Sequence, residues 1–303
     1  MKNETKGTIL ALLAAVVSGI AIPANKFFIV DLDATVFTAI RAIIIGTIFL
    51  FISIYQSRHS QKREFKRVPW SYLIAIAAIG GAMAFLLFFN GLKLTTAGHG
   101  TFLQKTLPLY TALLAFIFLR EKITSKMAYA LVAMFIGATI VYSAQISPAA
   151  LWANPSLGDM LIIAATILWA IEAIIAKKAM IMGEANFVVS FARMFFGGLI
   201  LFGFVLLTGK FGVLMSLTMQ QWSNILISTA ILFAYVLLWY WSIKKINVSK
   251  ATTLLLASPV IAQVGGIVLF GETVSLVQAV GSALILVGAY FISGVKSEFR
   301  EKL

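Results

Sequence analysis

Along the chain, stretches of about 20 apolar residues alternate with short polar connections. That is the length a helix rising 1.5 Å per residue needs to cross the hydrocarbon of a bilayer. Ten such runs are legible: residues 7–29, 34–55, 71–91, 97–119, 126–145, 157–179, 187–208, 222–243, 249–270 and 275–295. The longer connections are 56–70, 144–156 and 209–221, none large enough to form a domain. The pattern predicts an all-α integral membrane protein with ten transmembrane helices. The first run, from Gly7, exceeds a signal-peptide h-region and is followed by Lys26 rather than a small-residue cleavage site, so it is read as a spanning helix.

The two halves repeat each other. Gly7 pairs with Gly158, Lys26 with Lys177, Pro108 with Pro259, Glu121 with Glu272 and Gly137 with Gly288, each 151 residues apart. Arg41 with Arg193, Gly46 with Gly198 and Trp70–Ser71 with Trp222–Ser223 fit at 152. The expected division is therefore residues 1–150 and 151–303, each with five helices. Five is odd, so the second half enters the bilayer upside down relative to the first. Inverted-topology repeats are a hallmark of secondary transporters, whose substrate site lies near midplane where the repeats meet.

Composition agrees and charge adds direction. The 303 residues are 61% hydrophobic and 12% charged, against about 25% charged in soluble domains. The net charge of +13 comes from topology and calls for no nucleic acid. Eighteen of the Lys and Arg residues fall on the side of the two termini and three, Lys26, Lys93 and Lys210, on the other. By the positive-inside rule both termini are expected in the cytoplasm, in a multi-pass protein of the cell membrane. Without cysteine, and with only two histidines and 11 acids, neither a metal site nor an enzymatic cluster is expected, and no cofactor.

Several motifs resemble those of the drug/metabolite transporter superfamily, EamA type. They are FTAIRAIIIG and SFARMFFGG early in the second span of each half, TLPLYTALLAFIFLREKIT and SPVIAQVGGIVLFGETVS, and ATILWAI in the sixth span. The tryptophan that the resemblance implies in the first span is replaced by Ser18–Gly19. The resemblance covers the whole chain and implies a ten-helix permease. Members export amino acids, other metabolites or drugs, and relatives carry nucleotide sugars and sugar phosphates.

Candidate residues are the polar groups that hydrocarbon tolerates least. Lys105 sits about 12 Å into its span, a costly place for a charge and so a candidate anchor for a substrate carboxylate. Gln104 adjoins it. Pro108 and Pro259 are expected to kink their helices near midspan, free the carbonyls of Gln104 and Leu255, and act as hinges. Glu172 lies about 22 Å into the sixth span, with Trp169 on its face. It is read as a binder of a substrate ammonium, as a proton-coupling acid, or as a structural partner of Lys105 or Lys177. Tyr235 and Trp239, one turn apart, are candidate cavity-lining aromatics; Phe85, Phe88 and Phe89 are open to the same two readings, cavity or lipid, and lipid packing is the one expected. Arg41 and Arg193 are expected to bind helix C-terminal carbonyls, with Lys26 and Lys177 as helix-end cations. Glu121 and Glu272, each just before a helix start, are expected to cap those starts.

A zwitterion could span Lys105 and Glu172. The expected function is therefore secondary-active export or exchange of amino acids or related small carboxylates by alternating access. The alternatives are a drug or cation exporter coupled to protons through Glu172, an organic-phosphate or nucleotide-sugar-like carrier with several cations converging at midplane, and a channel-like facilitator. The expected partners are a small-molecule substrate and the lipid bilayer. Oligomeric state is open, and a monomer suffices.

Overall fold

The computed structural model of the protein describes residues 2–29, 31–59, 68–143, 146–270 and 273–298. Glu272 and the basic residues Lys62, Arg63, Lys66, Arg67, Arg300 and Lys302 lie outside them, as does the Lys26 side chain. Ten long apolar helices follow in order: α1 (Lys2–Phe28), α2 (Ala34–His59), α3 (Trp70–Leu94), α4 (Gly98–Leu119), α5 (Ser125–Ser143), α6 (Leu157–Ile181), α7 (Asn186–Leu207), α8 (Met219–Lys245), α9 (Val248–Val268) and α10 (Leu276–Ser293). Each is long and apolar enough to cross a bilayer. Short helices, Pro148–Ala153 and Phe211–Met215, occupy two of the longer connections.

Local chemistry sets several helix starts. Ser156–Asp159, Thr218–Gln221 and Ser275–Gln278 form reciprocal capping boxes at α6, α8 and α10. Asp33 opens α2, its Oδ1 accepting from the N–H groups of Thr35 and Val36, while Oδ2 pairs with Lys210 at 2.8 Å.

Helix pairing obeys the repeat. α5 packs on α10 and α2 on α7, each pair being equivalents across the halves. α1 packs on α8, and the equivalent pair, α6 with α3, packs likewise. The repeated glycines lie at these crossings, where small residues let backbones approach. A Cβ on Gly46 would fall 2.4 Å from the Phe195 backbone, and one on Gly198 2.9 Å from the Ile43 backbone.

Two π-helical stretches, Ile76–Met83 within α3 and Ala192–Phe196 within α7, meet in the middle of the bundle. Gly81 is the contact point: a Cβ there would sit 2.0 Å from the Arg193 carbonyl oxygen. Gly81→Ala is therefore expected to lose about 1–3 kcal/mol of stability by overpacking. Gly203→Ala, with nothing within 4 Å of its added methyl, should lose none. Thermal unfolding of the two variants in detergent separates these outcomes.

The prolines correct an expectation. α4 does not bend as one continuous helix; it breaks into Ala97–Gln104 and Leu107–Leu114, with Lys105 as the cap of the first segment. α9 breaks into Val248–Leu254 and Ser258–Phe270 around a 3₁₀ turn, Leu255–Ala257. Pro108 and Pro259 each occupy the first turn of the second segment, where a missing N–H leaves no intrahelical bond unmade. Discontinuous helices of this kind border binding sites in transporters.

Candidate functional site

A cavity of about 670 Å³ lies between the halves, within the range of small-molecule sites. It reaches the end of the bundle opposite the termini, where Gly98, Thr273 and Val274 border it. Toward the terminus end, polar contacts close the bundle. Glu121 accepts from the N–H groups of Val248 (2.8 Å) and Ser249 (3.1 Å) and from the Ser249 hydroxyl. Lys250 donates to Glu4 at 2.8 Å and to the carbonyls of Ser293 and Val295. Lys177 donates to the carbonyls of Ile243 and Ile246 at the end of α8, and Ser242 to that of Gly7.

Glu121 is thus a cap, but of the distant α9 rather than of α5, the next helix along the chain. Thr124 serves α5, accepting from the Met127 N–H at 3.3 Å. Lys177 acts as a helix-end cation on the C-terminus of α8.

The eight residues assigned from the sequence to substrate binding or to the kinks all border the cavity: Gln104, Lys105, Pro108, Trp169, Glu172, Tyr235, Trp239 and Pro259. Their relationships differ from expectation. Glu172 is 1% exposed and pairs with neither Lys105 nor Lys177. Tyr240 donates to its Oε1, and Arg193 Nη1 lies 3.8 Å from its Oε2 and 3.4 Å from the Tyr240 hydroxyl. The guanidinium also sits 5.8 Å above the rings of Phe85 and Tyr240. Charge pairing and ring contact together stabilise an ion pair that hydrocarbon would otherwise expel. Trp169 donates Nε1 to the carbonyl of Gly80 at 3.2 Å, on the π-helical stretch of α3, and its indole meets Phe85 edge-on at 5.4 Å. Tyr235 and Trp239 stack nearly parallel at 6.4 Å.

Lys105 is 5% exposed, and its ammonium has no partner among the described residues. Arg41 is 2% exposed and borders the cavity; among the described residues it makes no bond to helix carbonyls. Its guanidinium lies 4.4 Å above the Phe37 ring, with Nε and Nη1 unpartnered. Both repeat-related arginines were thus misread as helix-end cations, because inside the bundle each points toward the space between the halves. Phe85, Phe88 and Phe89 likewise border the cavity instead of packing against lipid. Tyr240, next to Trp239, was missed; its spacing marks one face with Val236 and carries no sign of Glu172.

By helical rise the cavity has two levels. Arg41 and Lys105 lie about 10 Å from the end opposite the termini, and Glu172 about 10 Å deeper. The arrangement can hold a polar solute between an unpartnered cationic level and a neutralised ion-pair floor.

The family model described as EamA-like transporter family matches residues 5–143 and, again, 156–294. An uncharacterized transporter of Archaeoglobus fulgidus is 26% identical over 293 residues, covering 90% of this chain and 94% of that one. The uncharacterized transporter YyaM of Bacillus subtilis is 27% identical over 239 residues, covering 78% and 76%. A solved crystal structure superposes with a TM-score of 0.72 over 94% of this chain and 95% of the other at 16% identity, which shows a shared fold. Ten membrane-spanning helices, two matched halves and a cavity between them place the chain in the EamA-like transporter family, as a multi-pass membrane transporter.

Proposed function

We propose that the protein is a secondary-active carrier that exports or exchanges small carboxylate metabolites, amino acids among them, by alternating access. The observation that carries the reading is the asymmetry of the cavity: one end is bordered by exposed residues and the other is sealed by hydrogen bonds between α6 and α8, between Glu121 after α4 and α9, and between α9 and Val295 after α10. Two inverted halves of similar packing have a second, mirror arrangement available, in which the closed and open ends exchange. With the basic loops in the cytoplasm, the cavity described here faces outward.

Lys105 holds the substrate carboxylate, with Gln104 beside it and the stacked pair Tyr235–Trp239 forming an apolar wall. Pro108 and Pro259 mark the breaks about which the half-helices re-orient. Glu172, its charge matched by Arg193 and its Oε1 bonded by Tyr240, acts in holding α6, α7 and α8 of the second half together. That assignment favours exchange over proton-driven export of cationic drugs.

Reconstituted protein should show saturable counterflow of radiolabelled amino acids or small carboxylates, accelerated by substrate on the far side. Flux linear in concentration and indifferent to substrate on that side would sink alternating access in favour of a channel. Uptake that follows an imposed pH gradient and is lost in Glu172→Gln would restore the proton-coupling role.

A further inference from the structure

We infer that the cavity selects small dianions, solutes with two separate acidic groups, one held by Lys105 and the other by Arg41. The inference deepens the carrier reading above and rests on it.

Charge is the first ground. Among the described residues bordering the cavity, the ionisable groups of fixed charge are Arg41, Lys105, Arg193 and Glu172. Glu172 and Arg193 compensate each other at 3.8 Å, which leaves two cations with no counter-charge. A buried unpaired charge costs several kcal/mol, and a bound anion of equal and opposite charge removes that cost.

Hydrogen bonding gives the second ground, independently of net charge. The buried polar side-chain atoms of the cavity wall that lack a partner are Nε and Nη1 of Arg41, Nε of Arg193 and Nε2 of Gln263. Every one is an N–H donor. The Oε1 of Gln263 is already used by the Ser282 hydroxyl, and the Oδ1 of Asn25 by Ser228. A cavity wall whose buried unpartnered atoms are all donors is matched by a ligand rich in acceptors, and carboxylates are acceptor-only groups.

Position is the third. Arg41 on α2 and Lys105 on α4 lie at the same depth, about 10 Å from the open end, and Gln263 on α9 is within a turn of that level. The substrate would therefore meet both cations at one level of the cavity, above the Glu172–Arg193 floor. A neutral amino acid fits this arrangement poorly. Its carboxylate could take one cation, but its ammonium would then face the other, with the one carboxylate in reach already bound by Arg193 and Tyr240. A cationic drug meets like charge throughout.

The test uses the purified full chain in detergent and in proteoliposomes, with succinate, glutamate, alanine, glycerol 3-phosphate and tetraphenylphosphonium as probes. Succinate and glutamate should raise the unfolding temperature and compete in counterflow at concentrations roughly tenfold or more below those needed for alanine. Lys105→Gln and Arg41→Gln should each raise the half-saturating succinate concentration roughly 10- to 100-fold, the loss of one charge-assisted contact. Should a variant fail to fold, the competition series on the unaltered protein still decides. Saturable counterflow of alanine that succinate does not inhibit would overturn the dianion inference and leave the carrier. Preference for glycerol 3-phosphate over succinate would overturn the requirement for two separate groups. Non-saturable flux together with succinate stabilisation that depends on Lys105 and Arg41 would overturn the carrier and support the anion site.

Discussion

Arg193→Met should destabilise the protein by about 3–5 kcal/mol, the usual cost of removing one partner from a buried ion pair. Arg193 Nη1 lies 3.8 Å from Glu172 Oε2, and its guanidinium covers the rings of Phe85 and Tyr240. Without it, a carboxylate 1% exposed keeps a single donor, the Tyr240 hydroxyl. The loss arises from the stranded charge, because methionine replaces much of the apolar stem. The double variant Arg193→Met/Glu172→Leu should consequently recover most of the stability, since an apolar pair of similar volume often substitutes for a buried ion pair without loss. Thermal or denaturant unfolding in detergent reads both. If the double variant were no more stable than the single, the attraction between the two residues would not be what holds this site. Transport separates a second property. The double variant should fold yet move substrate slowly, since π-helical α7 and α6 would be joined by packing alone.

Glu121→Ala should act at the opposite end of the cavity and on a different quantity. Glu121 is fully buried and accepts from the N–H groups of Val248 and Ser249 and from the Ser249 hydroxyl. Each bond to a charged acceptor contributes about 1.5–3 kcal/mol, and the first turn of α9 would be left with two orphan donors. A destabilisation of about 3 kcal/mol or more is expected. Glu121→Gln keeps one acceptor oxygen and should lose less. These bonds belong to the sealed terminus end, so part of the loss should appear as a shift toward the conformation in which that end opens. A shift of 1.4 kcal/mol changes the ratio of two states about tenfold. The chain has no cysteine, so a single Thr252→Cys, one turn into α9 at the cavity wall, is a clean reporter. Labelling of Thr252→Cys from the terminus side by a membrane-impermeant thiol reagent should accelerate on the Glu121→Ala background. Equal labelling rates would mean that Glu121 fastens α9 without influencing the seal.

The ten spans were legible in the sequence to within a few residues at most ends, and the reason is the solvent. Hydrocarbon satisfies no backbone group, so an apolar run of the right length has one structure open to it. The capping boxes, found in the structure, are local too, each written within four residues. The inverted repeat needed only parity and a constant offset. The glycines that marked the repeat prove in the structure to lie at helix crossings, Gly46 and Gly198 serving the same contact twice.

Which charges meet was another matter. Lys105 and Glu172 were found because a charge in a span is conspicuous whatever surrounds it. The partner of Glu172 stands on the next helix, 21 residues on, and shares it with Tyr240, a further 47 beyond. Glu121 reaches 127 residues along the chain to cap α9. Helical periodicity assigns a residue to a face but does not say which helix that face meets. The rotation and depth of each helix are set by packing all ten together, around glycines and π-helical turns that a 3.6-residue repeat does not anticipate. The sequence by itself determined that this chain crosses the membrane ten times as two inverted halves and carries rare charges inside. Only the tertiary structure decided that Arg193 is bound to Glu172 while Arg41 and Lys105 border the cavity with no ionic partner among the described residues. The physical reason is that burial depends on local composition, whereas charge pairing depends on the distance between helices.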